Sequence, residues 1–530
     1  MLTSLTAPAF AKTWCIEDGN ITVKAGDTGN DVTQKGETTY GDTDTIITNQ
    51  NKDIASSNTV TIETNDKNDK VEVTLKDVNI NVGSDSGSAL TSNGDVTLTL
   101  KGDNSLTGGN GGSGISSNGS LTITGGENDS LTAKGGSGRS GIFSSGSLTM
   151  KGGTVNAKGG SGADGGSGIR TFSSGGVTIS GGSTVNATGG DASDKDASAG
   201  GSGISGKGSL TVSGGTVTAN GGNGSKSESS DRSNGGRGID SGSLTVSGGT
   251  VTATGGDGCS GSYSDGGIGI SSSSGGVTIY GGTVTATGGK SGSGDYSNGG
   301  NGISSSGSLS ISGGTVTATA GSSSGSGIHS RSDIDLSGSL ELTAKAGSPN
   351  GKALSQNGIE LDPNTFKEKL DPGANIITKD ADGKVIDQVS IPRPVEPEGP
   401  VIPEESSSSS DSGSSTPSAD GGSATPSAPA SPLPGLTVTD KDGQRISYTS
   451  IRGNNVLSIR AGRFTASLRV SLAALRQLRA EGIDTITFRT VLCSTTLSVD
   501  ELLAMGGEDA EVVLTHHIRS STLTVGGKAV

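Results

Sequence analysis

The most constraining feature of this sequence is a phrase of about 14 residues that recurs along the middle of the chain. A chain built from copies of one supersecondary unit folds by stacking those copies, so the repeat predicts a solenoid. The copies read SLTMKGGTVNAKGG (147–160), SLTVSGGTVTANGG (209–222), SLTVSGGTVTATGG (243–256), GVTIYGGTVTATGG (276–289) and SLSISGGTVTATAG (308–321).

Each copy alternates apolar and polar residues with a period of two. Leu210, Val212 and Val217 fall on one face, whereas Thr211 and Thr218 fall on the other. This pattern predicts two short, half-buried strands. The Gly-Gly pair between them predicts a sharp corner, because glycine adopts a positive φ at little steric cost.

A Gly-Ile pair precedes each copy and supplies a third short strand. A coil of three strands stacks on its neighbours at about 4.8 Å, so that backbone groups pair from coil to coil. We therefore predict an all-β chain whose residues 50–345 form a parallel β-helix with three short strands per coil. The isoleucines are Ile115, Ile142, Ile169, Ile204, Ile239, Ile270, Ile303 and Ile328.

Composition supports a thin core. Glycine accounts for 95 of 530 residues, aromatics for 2 % and hydrophobics for 28 %, which is too little apolar material for an ordinary globular core of this length. Length variation between copies is concentrated between the closing Gly-Gly and the next isoleucine. Insertions of this kind project from one face of a solenoid, so the longest loops should form a rim.

The rim carries the candidate ligand site. Tyr263 lies seven residues before Ile270, and Tyr296 lies seven before Ile303, so the two rings share one register. Stacked rings beside amide and carboxylate groups suit a sugar, whose ring face packs on aromatics while its hydroxyls need polar partners. The alternative is tyrosines that pack only on each other beside ordinary turn residues. The predicted site comprises Arg232, Tyr263 and Tyr296, with Asn234, Asp265 and Asn298 two residues along.

Calcium is a candidate cofactor. GGSGAD (159–164) fits the first positions of a calcium-binding G-G-x-G-x-D repeat, although Gly166 stands where that repeat needs a large apolar residue. Carboxylates on the projecting loops are hard oxygen ligands. Asp164 and Asp265 are the predicted metal ligands, and solvated acidic loops are the alternative. Other loop carboxylates are Asp191, Asp194, Asp196, Asp257 and Asp295.

The two ends of the chain predict export and further domains. Residues 1–11 resemble the tail of a secretory signal with an A-x-A cleavage site, which predicts a secreted or cell-surface protein. Three widely spaced cysteines predict neither a disulfide framework nor a metal cluster. We divide the rest into an N-terminal cap (12–49), the repeats, a C-terminal cap (346–391), a Pro/Ser-rich linker (392–435) and a small α/β domain (436–530).

The small domain has its own pattern. SLAALRQLRAEG (471–482) predicts an amphipathic helix that stops at Gly482, and SVDELLAM (498–505) predicts a second one. LTVTD, VLSIR and TITFRTVL predict strands. Arginines here allow contact with an anionic cell-wall polymer, although scattered surface arginine is the simpler interpretation. We expect no nucleic-acid partner and no membrane insertion.

The first repeats carry a family resemblance. VEVTLKDVNINVGSDSGSALTSNGDVTLTLKGDNSLTGG (71–109) and GSGISSNGSLTITGG (112–126) resemble the carbohydrate-binding β-helix family of anaerobic bacterial surfaces, whose members resemble polysaccharide lyases. The resemblance extends over about 70–345 and excludes the C-terminal domain. It implies binding of plant cell-wall polysaccharide and of calcium.

Rival functions remain open. A lyase needs a basic residue beside the sugar, but the coil faces offer only scattered Lys134, Lys151 and Lys158, so we expect binding rather than catalysis. A stalk or adhesin that displays the C-terminal domain is the second interpretation. Ice binding is a third, because outward threonines recur, although threonine is common on half-exposed strands. The pairs are Thr216/Thr218, Thr250/Thr252, Thr283/Thr285 and Thr315/Thr317.

Overall fold

The chain consists of two compact units, Met1–Glu398 and Gly399–Val530, each with its own hydrophobic core. The computed structural model describes residues 12–64, 70–172, 175–193, 198–225, 233–259, 263–294, 296–349, 351–392, 435–440, 443–446, 448–453, 456–461, 465–490, 494–505, 510–517, 521–526 and 528–529.

The first unit is a parallel β-helix of about 13 turns, which confirms the fold predicted from the repeats. Its strands form three sheets of 15, 12 and 12 strands, called here sheets I, II and III. Each repeat contributes one strand to each sheet in that order.

Sheet I contains the Gly-Ile strands and has antiparallel additions at both ends. In spatial order its strands are Glu37–Asp42, Gly29–Gln34, Ile21–Gly26, Val60–Glu63, Leu90–Asn93, Ile115–Ser117, Ile142–Ser144, Ile169–Thr171, Ile204–Ser205, Ile239–Ser241, Ile270–Ser272, Ile303–Ser305, Ile328–Ser330, Leu354–Gln356 and Ile359–Glu360.

Sheets II and III contain the two strands of the repeated phrase. Sheet II comprises Thr13–Cys15, Ile46–Thr48, Lys70–Lys76, Asp95–Lys101, Leu121–Gly125, Leu148–Met150, Val177–Ile179, Ser209–Val212, Ser243–Val246, Val277–Ile279, Leu309–Ile311 and Ile334–Leu336. Sheet III comprises Asn79–Asn81, Asp103–Thr107, Ser130–Lys134, Thr154–Lys158, Thr184–Thr188, Thr216–Asn220, Thr250–Thr254, Thr283–Thr287, Thr315–Thr319, Glu341–Lys345, Asn375–Lys379 and the antiparallel Val385–Ser390.

Like residues stack on like residues through the core. Val217 pairs with Val251, which pairs with Val284, and all three side chains are fully buried. Alternate threonines of the same strands face outward, as the period of two predicts. Each coil therefore needs only a few small aliphatic side chains, which explains how a glycine-rich chain folds.

The Gly-Gly pair inside each phrase forms the predicted corner between sheets II and III. Its second glycine has a positive φ in successive coils, with values of 78° at Gly215, 79° at Gly249, 81° at Gly282 and 80° at Gly314. An L-residue with a side chain is strained at these angles, so glycine is required by backbone conformation here.

The closing Gly-Gly pair has a different role. Its glycines alternate with those that return from the loop, in one chain of hydrogen bonds called here the double glycine ladder. The N–H of Gly256 donates to Gly236, that of Gly267 to Gly256 and that of Gly289 to Gly267, each at 2.8 Å. A Cβ on Gly256 would lie 1.9 Å from the carbonyl oxygen of Gly222. These glycines are therefore required by close packing.

Two short 3-10 helices complete this unit, Ile16–Asp18 near its start and Pro363–Lys369 near its end. Asp362 caps the second helix by accepting the N–H of Asn364. Trp14, in the first strand of sheet II, donates from Nε1 to buried Asp42 at 2.8 Å. The apolar column of the core thus begins at an aromatic ring with a satisfied polar group.

The described residues of the second unit form two sheets and two α-helices. Helix Leu472–Ala480 begins at Ser471, whose hydroxyl accepts the N–H of Ala474, and helix Val499–Met505 follows a strand. The antiparallel sheet comprises Leu436–Thr439, Ala466–Ser471, Glu511–His516, Ser521–Val525 and Lys528–Ala529, and the mixed sheet comprises Thr449–Gly453, Val456–Arg460, Thr485–Arg489 and Ser494–Ser498. No helix among the described residues is long and apolar enough to cross a membrane.

Candidate functional site

The candidate site is a groove on the segment that returns from the long loops. This segment reads Asn-Gly-Gly-Arg-Gly-Ile (234–239), Asp-Gly-Gly-Ile-Gly-Ile (265–270) and Asn-Gly-Gly-Asn-Gly-Ile (298–303) in consecutive coils. The coils align in register, because the N–H of Gly235 donates to Asp265 and that of Gly266 donates to Asn298. The glycine pairs form a floor without side chains, and the flanking residues form two walls.

The groove has a volume of about 370 Å³. Its first wall consists of Asn234, Asp265 and Asn298, and its second wall consists of Arg237, Ile268 and Asn301. Because each wall has one residue in each of three consecutive coils, equivalent groups recur at about 4.8 Å along this part of the solenoid. The groove therefore presents a polar surface with the periodicity of the coils.

Hydrogen bonds between coils fix the first wall. The Oδ1 of Asn234 accepts the N–H of Asp265 at 2.9 Å, and the Oδ1 of Asp265 accepts the N–H of Asn298 at 2.7 Å. Ser324 donates its hydroxyl to the Oδ1 of Asn298. One oxygen of each side chain is thus used structurally, while in the described part of the chain the Nδ2 groups and the second Asp265 oxygen make no such bond.

The second wall is polar at two of its three positions. Arg237 forms an ion pair with Asp240, with Nη1 and Oδ1 2.7 Å apart, so its charge is partly neutralised. The Oδ1 of Asn301 accepts the N–H of Ser326 at 2.7 Å. Ile268 lies between them and offers a small apolar contact. Donors, acceptors and an apolar patch on a concave surface are the usual components of a small-molecule or sugar site.

Tyr263 and Tyr296 stack on each other outside the groove. Their ring centroids are 5.1 Å apart with an interplanar angle of 14°, and the side chains are 45 % and 67 % exposed. Each ring therefore covers one face of the other. Buried Ser264 stands between Tyr263 and Asp265 in the sequence.

The predicted site is thus divided in two by the structure. The structure aligns Asn234, Asp265 and Asn298 in one wall of the groove, and it brings the two tyrosines into contact with each other but not into the lining of the groove. Arg232 lies outside the described residues. The sequence interpretation missed Arg237, Ile268 and Asn301, although each stands three residues after a member of the first wall.

The predicted calcium ligands do not meet. Asp164 and Asp265 occupy the same position in their coils, but coils with Ala199 and Asn234 lie between them, a separation of about 14 Å. The Oδ1 of Asp164 accepts the N–H of Ala199 at 3.2 Å. Among the described residues, no group of three or more His, Cys, Asp or Glu side chains could hold a metal ion.

Other loop carboxylates have structural roles. Asp191 accepts the N–H of Asn223 at 2.7 Å, Asn223 accepts that of Asp257 at 2.9 Å and Asp257 accepts that of Lys290 at 2.8 Å. This column parallels the first wall of the groove on the outgoing side of the loop. Asp194, Asp196 and Asp295 lie outside the described residues.

The outward threonines of sheet III are aligned in register. Thr252 pairs with Thr285, which pairs with Thr317, and the flanking rows align in the same way.

Comparison of the chain with protein-family profiles, with curated proteins and with solved structures returned no match.

Proposed function

We propose that this protein binds polysaccharide outside the cell through the groove of the β-helix. The observation that carries the proposal is the pair of polar walls on a glycine floor, in which hydrogen bonds between coils hold each amide and carboxylate in one orientation. Groups fixed before binding lose little conformational freedom when a ligand arrives. Sugar hydroxyls need both donors and acceptors, and the walls offer both.

The periodicity of the groove favours a polymer over a single sugar. Equivalent side chains recur in three consecutive coils, so a chain of similar units can make similar contacts in each of them. Tyr296, whose side chain is 67 % exposed and which is absent from the lining of the groove, offers an aromatic surface to such a chain. We propose binding without catalysis, with calcium as a further component of the interaction.

A structural stalk is the second candidate. It is favoured by the division of the chain into two compact units, Met1–Glu398 and Gly399–Val530, with a Pro/Ser-rich sequence where they join. In that case the groove is a by-product of the stacking, and function resides in the C-terminal unit or its contact with a cell-wall polymer.

A glycan array with the full chain tests the proposal. We expect saturable binding to one class of polysaccharide, and the same array with a chelator measures the contribution of calcium. Silence across neutral and acidic polysaccharides, in the presence of calcium, contradicts the proposal and favours the stalk.

A further inference from the structure

The groove continues toward the C-terminal end of the solenoid into a second cavity of about 310 Å³. The two cavities share Asn301 and Ser324, so they form one path across the coils. The second wall extends through both: the N–H of Gly302 donates to Ser326, and that of Gly327 donates to Lys352. Lys352 therefore occupies the position that Arg237 holds four coils earlier, about 19 Å away.

The described side chains that line the second cavity are rich in hydrogen-bond donors and include no carboxylate. Lys352 and His329 line it together with Ser326, Ser355 and Asn301. The ammonium of Lys352 donates one hydrogen bond, to the carbonyl of Gly358, which leaves two of its three donors. The chain has a net charge of −15, yet the described residues that line this cavity include a lysine and no acid.

The groups around the cavity make its environment positive. Nδ1 of His329 lies 3.3 Å from Oγ of Ser355 on the next strand of sheet I. Burial, Arg331 and Lys352 all lower the pKa of His329, so the imidazole is neutral at pH 7 in a positive environment.

Two described acids close to the cavity in the sequence, Glu360 and Asp333, each accept a hydrogen bond from a neutral group and do not line the cavity. An oxygen of Glu360 accepts the N–H of Ala353, and an oxygen of Asp333 accepts the side-chain amide of Gln356. Arg331 has no carboxylate partner among the described residues. Lys352 and a neutral histidine thus line a space whose described lining residues carry no negative charge, and Arg331 lies close enough to influence the histidine.

We propose that this cavity is an anion subsite, which holds a carboxylate or sulfate substituent of the polysaccharide in the adjoining groove. The inference rests on the proposed function and narrows it to glycans with an anionic group. Lys352 supplies the charge, the serine hydroxyls and Asn301 donate hydrogen bonds, and His329 becomes a second cation when it takes up a proton beside the anion.

Histidine NMR tests the subsite without any glycan. The chain has three histidines, and His329→Gln assigns the relevant resonance. Titration with sodium sulfate, and separately with sodium acetate, should raise the pKa of His329 saturably, by about one unit. Sodium chloride at the same ionic strength should not. Fully buried His516 provides an internal reference within the same molecule.

Lysine variants test whether the anion that shifts the pKa of His329 binds at Lys352. Lys352→Met should abolish the response of His329 to sulfate and acetate, whereas Lys345→Met, on outward-facing sheet III, should preserve it. Arg331→Gln is a second variant on an exposed side chain, and it should weaken the response. An unchanged response in Lys352→Met, or no difference between sulfate, acetate and chloride, overturns the anion subsite.

A matched set of glycans separates this inference from the proposed function. Hydroxyethyl, carboxymethyl and sulfate derivatives of one cellulose preparation differ in their substituents. We expect the anionic derivatives to bind at least tenfold more tightly than the neutral one, with the preferred derivative identifying the anion. Equal binding of all three supports the groove and overturns the subsite, whereas an anion response of His329 with no glycan binding overturns the proposed function.

Discussion

The β-helix and the C-terminal unit bury apolar surface in different ways. In the β-helix the core is a column of Val, Leu, Ile and Ala, and each coil contacts mainly the coils on either side. The C-terminal unit packs two sheets and two helices around a common core in which Phe488 is fully buried, with its ring centroid 4.8 Å from that of His516.

The two architectures differ in the surfaces that they can present to a ligand. A stack of coils repeats any surface feature in register, so a groove arises from three short copies of one motif. The common core of the C-terminal unit offers no such repetition. Energetically, a stack behaves as a sum of nearest-neighbour interactions, whereas a single core unfolds as one cooperative unit.

Substitutions in the two cores should show the difference between the units most strongly. Val217→Asp places an unpaired carboxylate in the column and should cost about 4 kcal/mol or more. Hydrogen exchange measured by mass spectrometry should increase in the strands around Val185 and Val251 and stay unchanged in distant coils. Phe488→Ala should cost about 3–5 kcal/mol and increase exchange throughout the C-terminal unit.

The control is Thr218→Asp, since this neighbouring side chain faces outward. It should leave exchange nearly unchanged. Uniform loss of protection across all coils in Val217→Asp would show that the β-helix unfolds as one unit.

Glycine variants should distinguish tightly packed from open positions inside the β-helix. Gly256→Ala brings a Cβ to 1.9 Å from a carbonyl oxygen in the double glycine ladder and should cost about 1–3 kcal/mol. Gly214→Ala is the matched control, because its Cβ would meet no atom closer than 3.9 Å. Urea unfolding followed by circular dichroism measures both. Equal stability of the two variants would mean that the ladder relaxes without cost.

The pH dependence should be steeper in the C-terminal unit. Nδ1 of His516 forms a hydrogen bond with the hydroxyl of Thr490 at 3.2 Å, and Nε2 forms one with the hydroxyl of Thr495 at 2.9 Å. Burial lowers the pKa of this histidine. Below about pH 6.5 the unfolded chain binds a proton that the folded unit excludes. Stability should therefore fall with pH, by at most about 1.4 kcal/mol per unit, until the folded-state pKa is passed.

Hydrogen exchange at pH 7 and 5.5, corrected for intrinsic rates, measures this effect. His516→Gln should remove most of the pH dependence of the C-terminal unit. His329, in the β-helix, also has a lowered pKa but is only partly buried, so its effect should be smaller. If the stability of the C-terminal unit were independent of pH over this range, the lowered pKa of His516 in the folded unit would be contradicted.

Much of the fold could be predicted from the sequence because its signals are local. Alternation in the repeated phrase identifies the strands, and the Gly-Gly pair inside it identifies the corner at Gly215 and Gly249. The role of the closing pair, at Gly255 and Gly256, was not predictable in this way. It depends on which glycine of another segment lies alongside, a property of the stacking rather than of the phrase.

The site was predictable only in part for a related reason. Equal spacing to the next isoleucine aligns Asp265 with Asn298, and the equivalence is visible in the sequence. Arg237, Ile268 and Asn301 differ from one another in chemistry, so no repeated residue type marks the second wall. Its recognition requires the groove itself.

The most direct test of the account compares two tryptophan substitutions on different surfaces of the β-helix. Ile268→Trp fills the groove between its walls, and Thr285→Trp places the same side chain on outward-facing sheet III. Affinity for the array-selected polysaccharide should fall at least tenfold in Ile268→Trp and stay unchanged in Thr285→Trp, with both variants folded by circular dichroism. Equal affinity of Ile268→Trp and the unmodified protein would contradict the assignment of the groove as the binding site.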